Sequence, residues 1–427
     1  MADYDVIVVG AGPAGSAAAL VLARQGCSVL LLDRGDVPGS KNASGARLYC
    51  HSLEKLLPED FSEAPMERRV TRETLSFMTP ESCFNLDFQS SKLTRYPSCT
   101  LLRSRFDSWL AAKAEEAGCD LATPVRVDAL LYDEQGKICG VQAGDDALTA
   151  DIVLLAEGVN GLLAQQAGLK KELKPDQVAV GIKEVRSLSE GMINDRFGLE
   201  HDEGCARLFA GSPSQGHTGG GFLYTNKESI SIGLVVSLEQ RSAMETSLPE
   251  MLEAFKHHPS VRPLIAGSRL EEYSAHLIPE GGFHMVPELA GDHVLLAGDA
   301  AGFCLNLGYT VRGMDFAITS GMLAAETVLE AKANNDFSAS GLKGYRTRLA
   351  ESFVLKDLET HRKAPAFIAE TTRMYGVYPE MLEKIMLDVF HVDGDGSHHM
   401  IQRLLPHLRE AGLLNILKDG LSALRAL

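Results

Sequence analysis

The sequence predicts an α/β protein with a buried parallel sheet, a second sheet that is mixed or antiparallel, and a helical C-terminal region. The parallel sheet is predicted by an opening β-branched apolar run, a glycine-rich turn and an Ala/Leu-rich helix, which together begin a βαβ unit. The second sheet is predicted by alternating strands around the glycine run at residues 219–221. Helical patterning beyond residue 333 predicts the third part.

The elements of the first part follow from local patterns. Apolar runs predict buried strands, a glycine between two strand patterns predicts a hairpin, and the Gly/Ser/Asn-rich segment 35–52 predicts a functional loop. In chain order we predict a strand at 4–9, a helix at 14–25, a strand at 28–32, a helix at 103–117, a hairpin at 125–132 and 138–142, strands at 152–156 and 294–297, and a helix at 313–331.

The composition excludes several classes of function. A formal net charge of −16 over 427 residues leaves no positive surface for nucleic acid. Asp3 and Asp5 precede the glycine motif, which is not the pattern of a signal peptide, and no apolar run is long enough to span a bilayer. The cysteines form no CxxC pair, which indicates reduced thiols in the cytoplasm and no metal site. They are Cys27, Cys50, Cys83, Cys99, Cys119, Cys139, Cys205 and Cys304.

The first motif is the turn Gly-Ala-Gly-Pro-Ala-Gly at residues 10–15. Its glycines permit a tight turn, let the backbone approach a diphosphate, and allow close packing of strand and helix. The helix N-terminus faces the phosphates, and an acid closing the next strand accepts ribose hydroxyls. This predicts a dinucleotide site without separating FAD from NAD. The predicted contacts are Gly10, Gly12, Pro13, Ala14, Gly15, Asp33 and Arg34.

The second motif, at residues 294–302, is an apolar strand that ends in Gly298 and Asp299. It places a carboxylate at the edge of the sheet where open α/β folds bind ligands. The motif resembles the second FAD fingerprint of glutathione-reductase-type flavoproteins, in which the matching Asp binds a ribityl hydroxyl. The alternative is an ordinary helix cap.

Together the two motifs select FAD and predict a Rossmann-like FAD-binding domain of the three-layer ββα type. We assign it to residues 1–174 and 286–332, the second β-sheet domain to 175–285, and the helical region to 333–427.

Two further segments point to the same cofactor. Residues 103–110 resemble the R-x-x-F-D-x-x-L segment of flavoprotein hydroxylases and geranylgeranyl reductases, which implies that Arg103 reaches the FAD phosphates. Residues 156–158 resemble the third FAD segment, with Glu in place of the usual Asp. The alternative for Arg103 is a solvated position on the protein surface. The contacts predicted outside the two main fingerprints are Ser44, Gly45, Arg103, Val127, Ala156, Glu157, Gly158, Gly313 and Met314.

The segment 308–315 precedes a helix whose N-terminus would stabilise negative charge on reduced flavin. Arg312 either adds positive charge there or is solvated. The histidines His51, His276 and His284 are candidates for proton transfer, although structural roles are the more frequent use of lone histidines. We assign no catalytic residue.

Nearly the whole chain resembles the FixC branch of the electron-transfer-flavoprotein:quinone oxidoreductases. The segments that carry the resemblance are 39–49, 219–226, 255–289 and 415–420. The resemblance implies that electrons arrive from an electron-transfer flavoprotein and leave to a ferredoxin-like iron–sulfur partner, to quinone at the membrane surface, or to both. Residues 175–285 would then be the quinone-type domain, and the protein cytoplasmic or peripheral on the inner membrane.

One departure from the longer family members concerns iron. Those members end in a cysteine-rich domain that ligates a 4Fe–4S cluster, whereas no cysteine follows Cys304 in this chain. The resemblance to FixC-type chains implies that the cluster lies on the separate ferredoxin-like partner.

Other functions share this fold. A geranylgeranyl-reductase-like enzyme would need an apolar tunnel in 175–285, an aromatic hydroxylase would need rapid reduction by NAD(P)H, and a non-enzymatic FAD-binding subunit would show no turnover. The apolar stripe at 404–424 either packs in the core, docks a partner or lies on a membrane.

Overall fold

Two large β-sheets and a set of C-terminal helices make up the chain in the computed structural model, which describes residues 2–41, 45–95, 97–394 and 398–427. The strands in chain order are β1 Tyr4–Val9, β2 Val29–Leu32, β3 Ala46–Tyr49, β4 Met66–Met78, β5 Cys83–Gln89, β6 Ser98–Leu101, β7 Asp120–Ala122, β8 Ala129–Tyr132, β9 Ile138–Ala143, β10 Asp146–Leu155, β11 Val178–Ser187, β12 Glu203–Gly211, β13 Gly219–Thr225, β14 Ser229–Ser237, β15 Arg269–Pro279, β16 Ala290–Gly291, β17 Val294–Leu296, β18 Leu305–Asn306 and β19 Val311–Arg312.

The first helix begins within the glycine turn, and helices dominate the chain after residue 313. They are α1 Pro13–Arg24, α2 His51–Leu56, α3 Arg103–Glu116, α4 Leu162–Gln166, α5 Glu190–Phe197, α6 Leu248–His257, α7 Arg262–Ile265, α8 Met314–Asn334, α9 Gly344–Glu351, α10 Phe353–Thr360, α11 Ala364–Glu370, α12 Val377–Phe390, α13 Met400–Ala411 and α14 Leu413–Ala426.

The first sheet has the order β16-β17-β10-β1-β2-β7, and its strands from β17 to β7 run parallel. Strands β2 and β17 are apolar and buried along their length, and β1 and β10 are buried in their C-terminal halves, as expected of strands covered on both faces. The N-terminal half of β10 leaves this sheet and pairs with the β8–β9 hairpin, which adds the extra β layer. Helix α1 contacts both α3 and α8. The predicted α/β fold class is confirmed.

The second sheet joins two distant stretches of chain. Strands β11 to β15 are antiparallel, and β12 continues the sheet by pairing in parallel with β4, which brings in β3, β5 and β6. Residues 46–101 therefore belong to the same sheet as residues 178–279. The sequence did not predict this because β4 carries five charged residues and shows no apolar run. The domain boundaries we assigned stay a prediction.

The predicted loop at 35–52 is wrong over its second half, where β3 forms and α2 begins. Its polar residues are compatible with a strand because the Arg47 guanidinium is paired with Ser98 on the neighbouring strand β6 and with Glu73 on β4, one strand further. Residues 42–44 lie outside the described residues.

The C-terminal helices are amphipathic and leave much of their apolar face exposed. Leu414 and Leu424 are 82% and 85% exposed, and Phe390 is 79% exposed. The predicted alternative in which the stripe at 404–424 is buried core is therefore wrong for the greater part of this segment. Among the described residues, no helix has the length and apolar character to cross a membrane.

Candidate functional site

A cavity of about 810 Å³ lies between the two sheets. One wall is formed by the carboxyl ends of β1, β2, β10 and β17, where ligands of open α/β sheets bind. The opposite wall is formed by strands β11 to β13 and β15, and the far end by the C-terminal helices. Its volume is within the range of small-molecule and cofactor sites, about 300–1,000 Å³.

The glycine turn has the shape that a diphosphate requires. Gly10 has φ +104°, and a Cβ there would lie 2.4 Å from the carbonyl oxygen of Ala156, so only glycine fits. Gly12 lines the cavity, and a Cβ on it would be 3.8 Å from the guanidinium of Arg103. Gly15 does not line the cavity; a Cβ there would be 1.9 Å from the Gly10 carbonyl oxygen. Gly15 therefore serves the close packing of turn and helix.

Asp33 stabilises the glycine turn through its carboxylate. One carboxylate oxygen accepts the backbone N–H of Ala11 at 2.9 Å, and the other accepts that of Gly35 at 2.7 Å. A carboxylate offers about four acceptor positions, so about two remain unused on Asp33, which lines the cavity. These are the acceptors that a ribose diol would use.

Arg103 reaches the turn from the first position of α3. Its guanidinium donates to both oxygens of Asp107, at 2.8 and 2.6 Å, and Asp107 is fully buried. Burial opposes the charge of Arg103, but the Asp107 carboxylate more than offsets it and raises the pKa of Arg103. The arginine is thus a fixed, permanent cation beside Gly12.

Asp299 lines the cavity at the end of β17. Burial raises its pKa, and this is partly offset by the positive charges of Arg103 and Lys170. Lys170 is only 7% exposed, and its ammonium donates to the carbonyl oxygens of Val159 at 2.8 Å and Ala300 at 3.1 Å. It connects Val159, which directly follows the third FAD segment, to the Gly298–Ala301 turn, and nothing in the sequence around it indicated this.

Glu157 has a structural partner. Its carboxylate accepts the backbone N–H groups of Leu163 at 3.0 Å and Ala164 at 2.8 Å, at the start of α4. Burial raises the pKa of Glu157, and these hydrogen bonds oppose the rise. The side chain therefore stabilises a helix end, while the backbone of residues 156–158 lines the cavity.

Helix α8 directs its N-terminus into the cavity, where Gly313 and Met314 line it. Arg312 is held by Asp315 and Asp357, with distances of 2.6 Å to each, and lies 4.7 Å from the ring centroid of Phe316. Arg312 was predicted either to add positive charge at this site or to be a solvated side chain. The two ion pairs exclude the solvated side chain. His51 contacts the same Asp315 at 3.2 Å.

The structure brings nearly all predicted site residues to this one cavity. Gly15 lies behind the turn, and Ser44 lies outside the described residues. His276 lines the cavity, whereas His284 is exposed and does not. The predicted residues that line the cavity are Gly10, Gly12, Pro13, Ala14, Asp33, Arg34, Gly45, Arg103, Val127, Ala156, Glu157, Gly158, Gly298, Asp299, Gly313 and Met314.

The second sheet and the C-terminal helices contribute a wall that the sequence motifs did not reveal. Lys183 and Glu280 bring charge to it, and burial raises the pKa of Glu280. The remaining wall is largely apolar. Its aromatic and aliphatic members include Phe77, Phe209, Phe222, Phe367, Tyr375 and Leu427.

These residues fit the chemistry of FAD. The glycine turn and Arg103 match a diphosphate, Asp33 matches a ribose diol, and Asp299 matches a polyol chain. Within the described ranges, no group of three His, Cys, Asp or Glu side chains could hold a metal ion. The fold and the site are those of an FAD-dependent oxidoreductase.

Comparison with known proteins narrows this class. The family model described as an FAD binding domain matches residues 3–194, the model described as ETF-QO, ubiquinone-binding, matches residues 178–278, and the model described as the ETF-QO/FixC family C-terminal domain matches residues 364–427. The chain belongs to the ETF-QO/FixC family.

Its relatives match from end to end. The chain is 51% identical to the probable electron transfer flavoprotein-quinone oxidoreductase YdiS of Escherichia coli strain K12 and 49% identical to Protein FixC of the same strain, in each case over 99% of both chains. Among solved structures, a geranylgeranyl bacteriochlorophyll reductase-like protein from Thermoplasma acidophilum superposes with a TM-score of 0.74 at 21% identity, covering 98% of this chain and 99% of that one. This last similarity concerns the fold alone.

Proposed function

We propose that the protein passes electrons from an electron-transfer flavoprotein, through FAD, to a ferredoxin-like iron–sulfur partner, to quinone, or to both. FAD supplies the chemistry, since it accepts two electrons as hydride or one at a time. The chain holds the cofactor, excludes water from it and presents it to its partners.

The observation that carries the proposal is the continuity of the cavity. It runs from the glycine turn, past the N-terminus of α8, to an apolar region bounded by the second sheet and the C-terminal helices. The two parts of that region match the ubiquinone-binding and ETF-QO/FixC C-terminal family models. An apolar wall beside the flavin end suits a quinone ring and its isoprenoid tail.

We propose roles for the residues at the cofactor. The backbone at residues 10–14 and the guanidinium of Arg103 would bind the diphosphate, and Asp33 the adenosine ribose. Asp299 would accept a hydrogen bond from the ribityl chain. The N-terminus of α8 at Met314 would stabilise negative charge on the reduced ring.

The iron–sulfur cluster of the proposed pathway is assigned to the partner. Four thiolates are needed to hold such a cluster, and no cysteine follows Cys304. Protein expressed alone is expected to carry FAD without iron or acid-labile sulfide. Stoichiometric iron and sulfide in that preparation would contradict the assignment.

We propose that the exposed apolar face of α13 and α14 lies on the surface of the inner membrane, where quinone is dissolved. Leu414, Leu417, Leu421 and Leu424 project from α14 at helical spacing and are exposed. Replacement of Leu417 by Glu is expected to reduce cosedimentation with phospholipid vesicles. The matched control is Leu86→Glu, an exposed leucine on β5. Equal loss in both variants would contradict the assignment to α14.

The central experiment is anaerobic reduction of the purified protein, followed by the visible flavin spectrum. Reduced electron-transfer flavoprotein is expected to bleach the flavin rapidly, while NADH and NADPH are not. Rapid bleaching by NADPH would overturn the proposal and favour a hydroxylase or reductase. Protein that takes up no FAD would contradict the cofactor itself.

The apolar wall of the cavity supports a second candidate function. A geranylgeranyl-reductase-like enzyme would use the same wall to hold an isoprenoid and reduce its double bonds. Incubation of the dithionite-reduced protein with an isoprenoid alkene, followed by mass spectrometry, separates the two. A mass increase of two hydrogens per double bond would favour the reductase; an unchanged alkene together with reduction of a soluble quinone favours electron transfer.

A further inference from the structure

Lys183 lies on β11, the strand next to the edge strand β15 of the second sheet, and its side chain faces the cavity. It lines the cavity with Gly45, Arg34 and Arg103, and its ammonium donates to the carbonyl oxygen of Gly45 at 2.6 Å. Gly45 immediately follows residues 42–44, which the structure does not describe. Lys183 is therefore a cation that the second sheet contributes to the same site as the glycine turn of the first.

The neighbours of Lys183 provide little negative charge. On β14 its register partner is Gly233, and on β15 it is Ser274. The charged groups that act on it are Arg103 from α3, which disfavours its charge, and Glu272 from β15, which favours it. No described carboxylate lies within 4.0 Å of the ammonium, so within the described part of the chain this buried cation has no ion-pair partner.

His276 belongs to the same cluster. It pairs with Gly181, two positions before Lys183 on β11, so both side chains are on the cavity face of adjacent strands. Burial lowers the pKa of His276, and Arg103, Lys183 and Arg34 lower it further. Four basic side chains, from α3, β11, β15 and the loop after β2, thus converge on one part of the cavity.

Lys183 and His276 are bases whose positive charge is disfavoured by burial and by the neighbouring Arg103, so a bound anion would favour their protonated forms. Burying positive charge costs free energy unless it is paired, and the cation nearest to the glycine turn, Arg103, already has Asp107 as its partner. FAD brings a diphosphate with two negative charges to that turn. We propose that Lys183 and His276 complete, from the second sheet, the cationic site that holds the diphosphate of FAD.

The proposal has a thermodynamic consequence. Burial and the charge of Arg103 lower the pKa of Lys183 to about 7 in the protein without ligand. A bound diphosphate favours the charged ammonium and raises that pKa. Above pH 7 the lysine is then mainly neutral before binding and charged afterwards, so binding of oxidised FAD takes up a proton. Below pH 7 it is already charged, and this uptake disappears.

The experiment measures FAD binding to apoprotein from which the flavin has been removed. Isothermal titration calorimetry at pH 8 in buffers of different ionisation enthalpy gives the number of protons taken up per FAD. Wild type is expected to take up close to one more proton than Lys183→Met. From pH 7 to 9 the affinity of wild type is expected to fall by up to about tenfold per pH unit, a fall that Lys183→Met does not share.

Three variants separate charge from packing. Lys183→Met is expected to bind FAD about 10- to 100-fold more weakly than wild type at pH 6, and the two should converge at high pH. Lys183→Arg, which stays charged at every accessible pH, should restore affinity at pH 8 and remove the pH dependence. Lys171→Met, at an exposed lysine, is the matched control and should behave as wild type.

Two results would overturn the proposal. One is equal proton uptake by wild type and Lys183→Met on binding of oxidised FAD. The other is an uptake that depends on Lys183 but occurs only on reduction of already bound FAD, which would place the lysine at the flavin ring. Neither result depends on which protein or quinone exchanges electrons with FAD, so failure here is distinguishable from failure of the proposed function.

Discussion

Gly321 of helix α8 lies directly against the backbone of Ala14 in helix α1: a Cβ on Gly321 would be 2.1 Å from the Ala14 carbonyl oxygen. Helix α1 begins at the glycine turn, α8 begins at Met314, and both N-terminal turns lie close to Gly298, where a Cβ would be 2.9 Å from Ala14 and 3.6 Å from Ala317. This contact therefore helps to set the distance between the two helix N-termini, which the proposed function assigns to the diphosphate and to the flavin ring.

We predict that Gly321→Ala destabilises the protein by about 1–3 kcal/mol and weakens FAD binding, because the helices must separate to admit the methyl group. Urea denaturation and FAD titration measure the two effects. Gly420→Ala is the matched control, since Gly420 is also helical but has open space around it, and it should stabilise α14 by up to about 1 kcal/mol. Equal effects in both variants would contradict the close contact.

Removal of the partner of Arg103 gives a second prediction. Asp107→Leu leaves a largely buried guanidinium without its carboxylate, and we expect a loss of about 2–4 kcal/mol in the free energy of unfolding. The loss should be smaller with FAD bound, because the diphosphate then provides a counter-charge. Lys384→Met removes an exposed ion pair with Glu410 and should cost less than about 1 kcal/mol. A loss for Asp107→Leu that FAD does not reduce would argue against Arg103 at the diphosphate.

The pH dependence of stability tests Glu280. Burial raises the pKa of Glu280 in the folded protein above the ordinary 4.5 of the unfolded chain. Between the unfolded and the folded pKa, the folded protein therefore holds a proton that the unfolded chain has released. Stability is consequently lost as the pH rises through this interval. Glu280→Gln keeps an acceptor for the Asn306 amide but cannot ionise, so we expect it to exceed wild type in stability at pH 7 and to match it at acidic pH.

The control is Glu410, for which the change of folding stability with pH is expected in the opposite direction. The hydrogen bond from Lys384 lowers the pKa of Glu410, so Glu410 contributes stability that is present above pH 4.5 and lost below it. Glu410→Gln should therefore fall slightly below wild type at pH 7. Urea midpoints at several pH values distinguish the two; a Glu280→Gln variant that loses stability at pH 7 would show that the carboxylate has a partner when ionised.

Thiol labelling tests burial across the whole chain. Cys83 and Cys139 are partly exposed, and the other six cysteines are buried. We expect iodoacetamide to label these two first, and faster as the pH rises, because burial raises the pKa of both thiols and the thiolate is the reactive form. Cys50 and Cys99, whose sulfurs lie 3.5 Å apart, should react only after unfolding. Mass spectrometry of tryptic peptides assigns the labels, and early labelling of Cys50 would contradict the structure.

The sequence predicted the parts of the site that depend on local backbone geometry. The turn at residues 10–15, the strand before Asp299 and the first residue of α3 are readable because phosphate approach, tight turns and strand ends each demand particular residues at fixed spacing. The fold class and the FAD cofactor followed from the same segments.

The rest depends on contacts between distant residues. Lys170 acquires its role only when Val159 and Ala300 meet, and Lys183 only when β11 faces the glycine turn. Strand β4 pairs with β12 over more than a hundred residues of intervening chain, and its charged side chains gave no apolar pattern. The motif predicted that Glu157 contacts the cofactor, whereas its carboxylate accepts backbone N–H groups at the start of α4.

The parallel pairing of β4 with β12 also affects how the protein can be made. A nascent chain that has emerged from the ribosome as far as residue 174 still lacks β17 beside β10, and β12 beside β4. The second sheet cannot be completed before β15 ends at Pro279, nor the first before β17 ends at Leu296, so unpaired strand edges stay open during translation and invite chaperone binding or aggregation. For the same reason, a flavin module transplanted between relatives would have to include both stretches of chain.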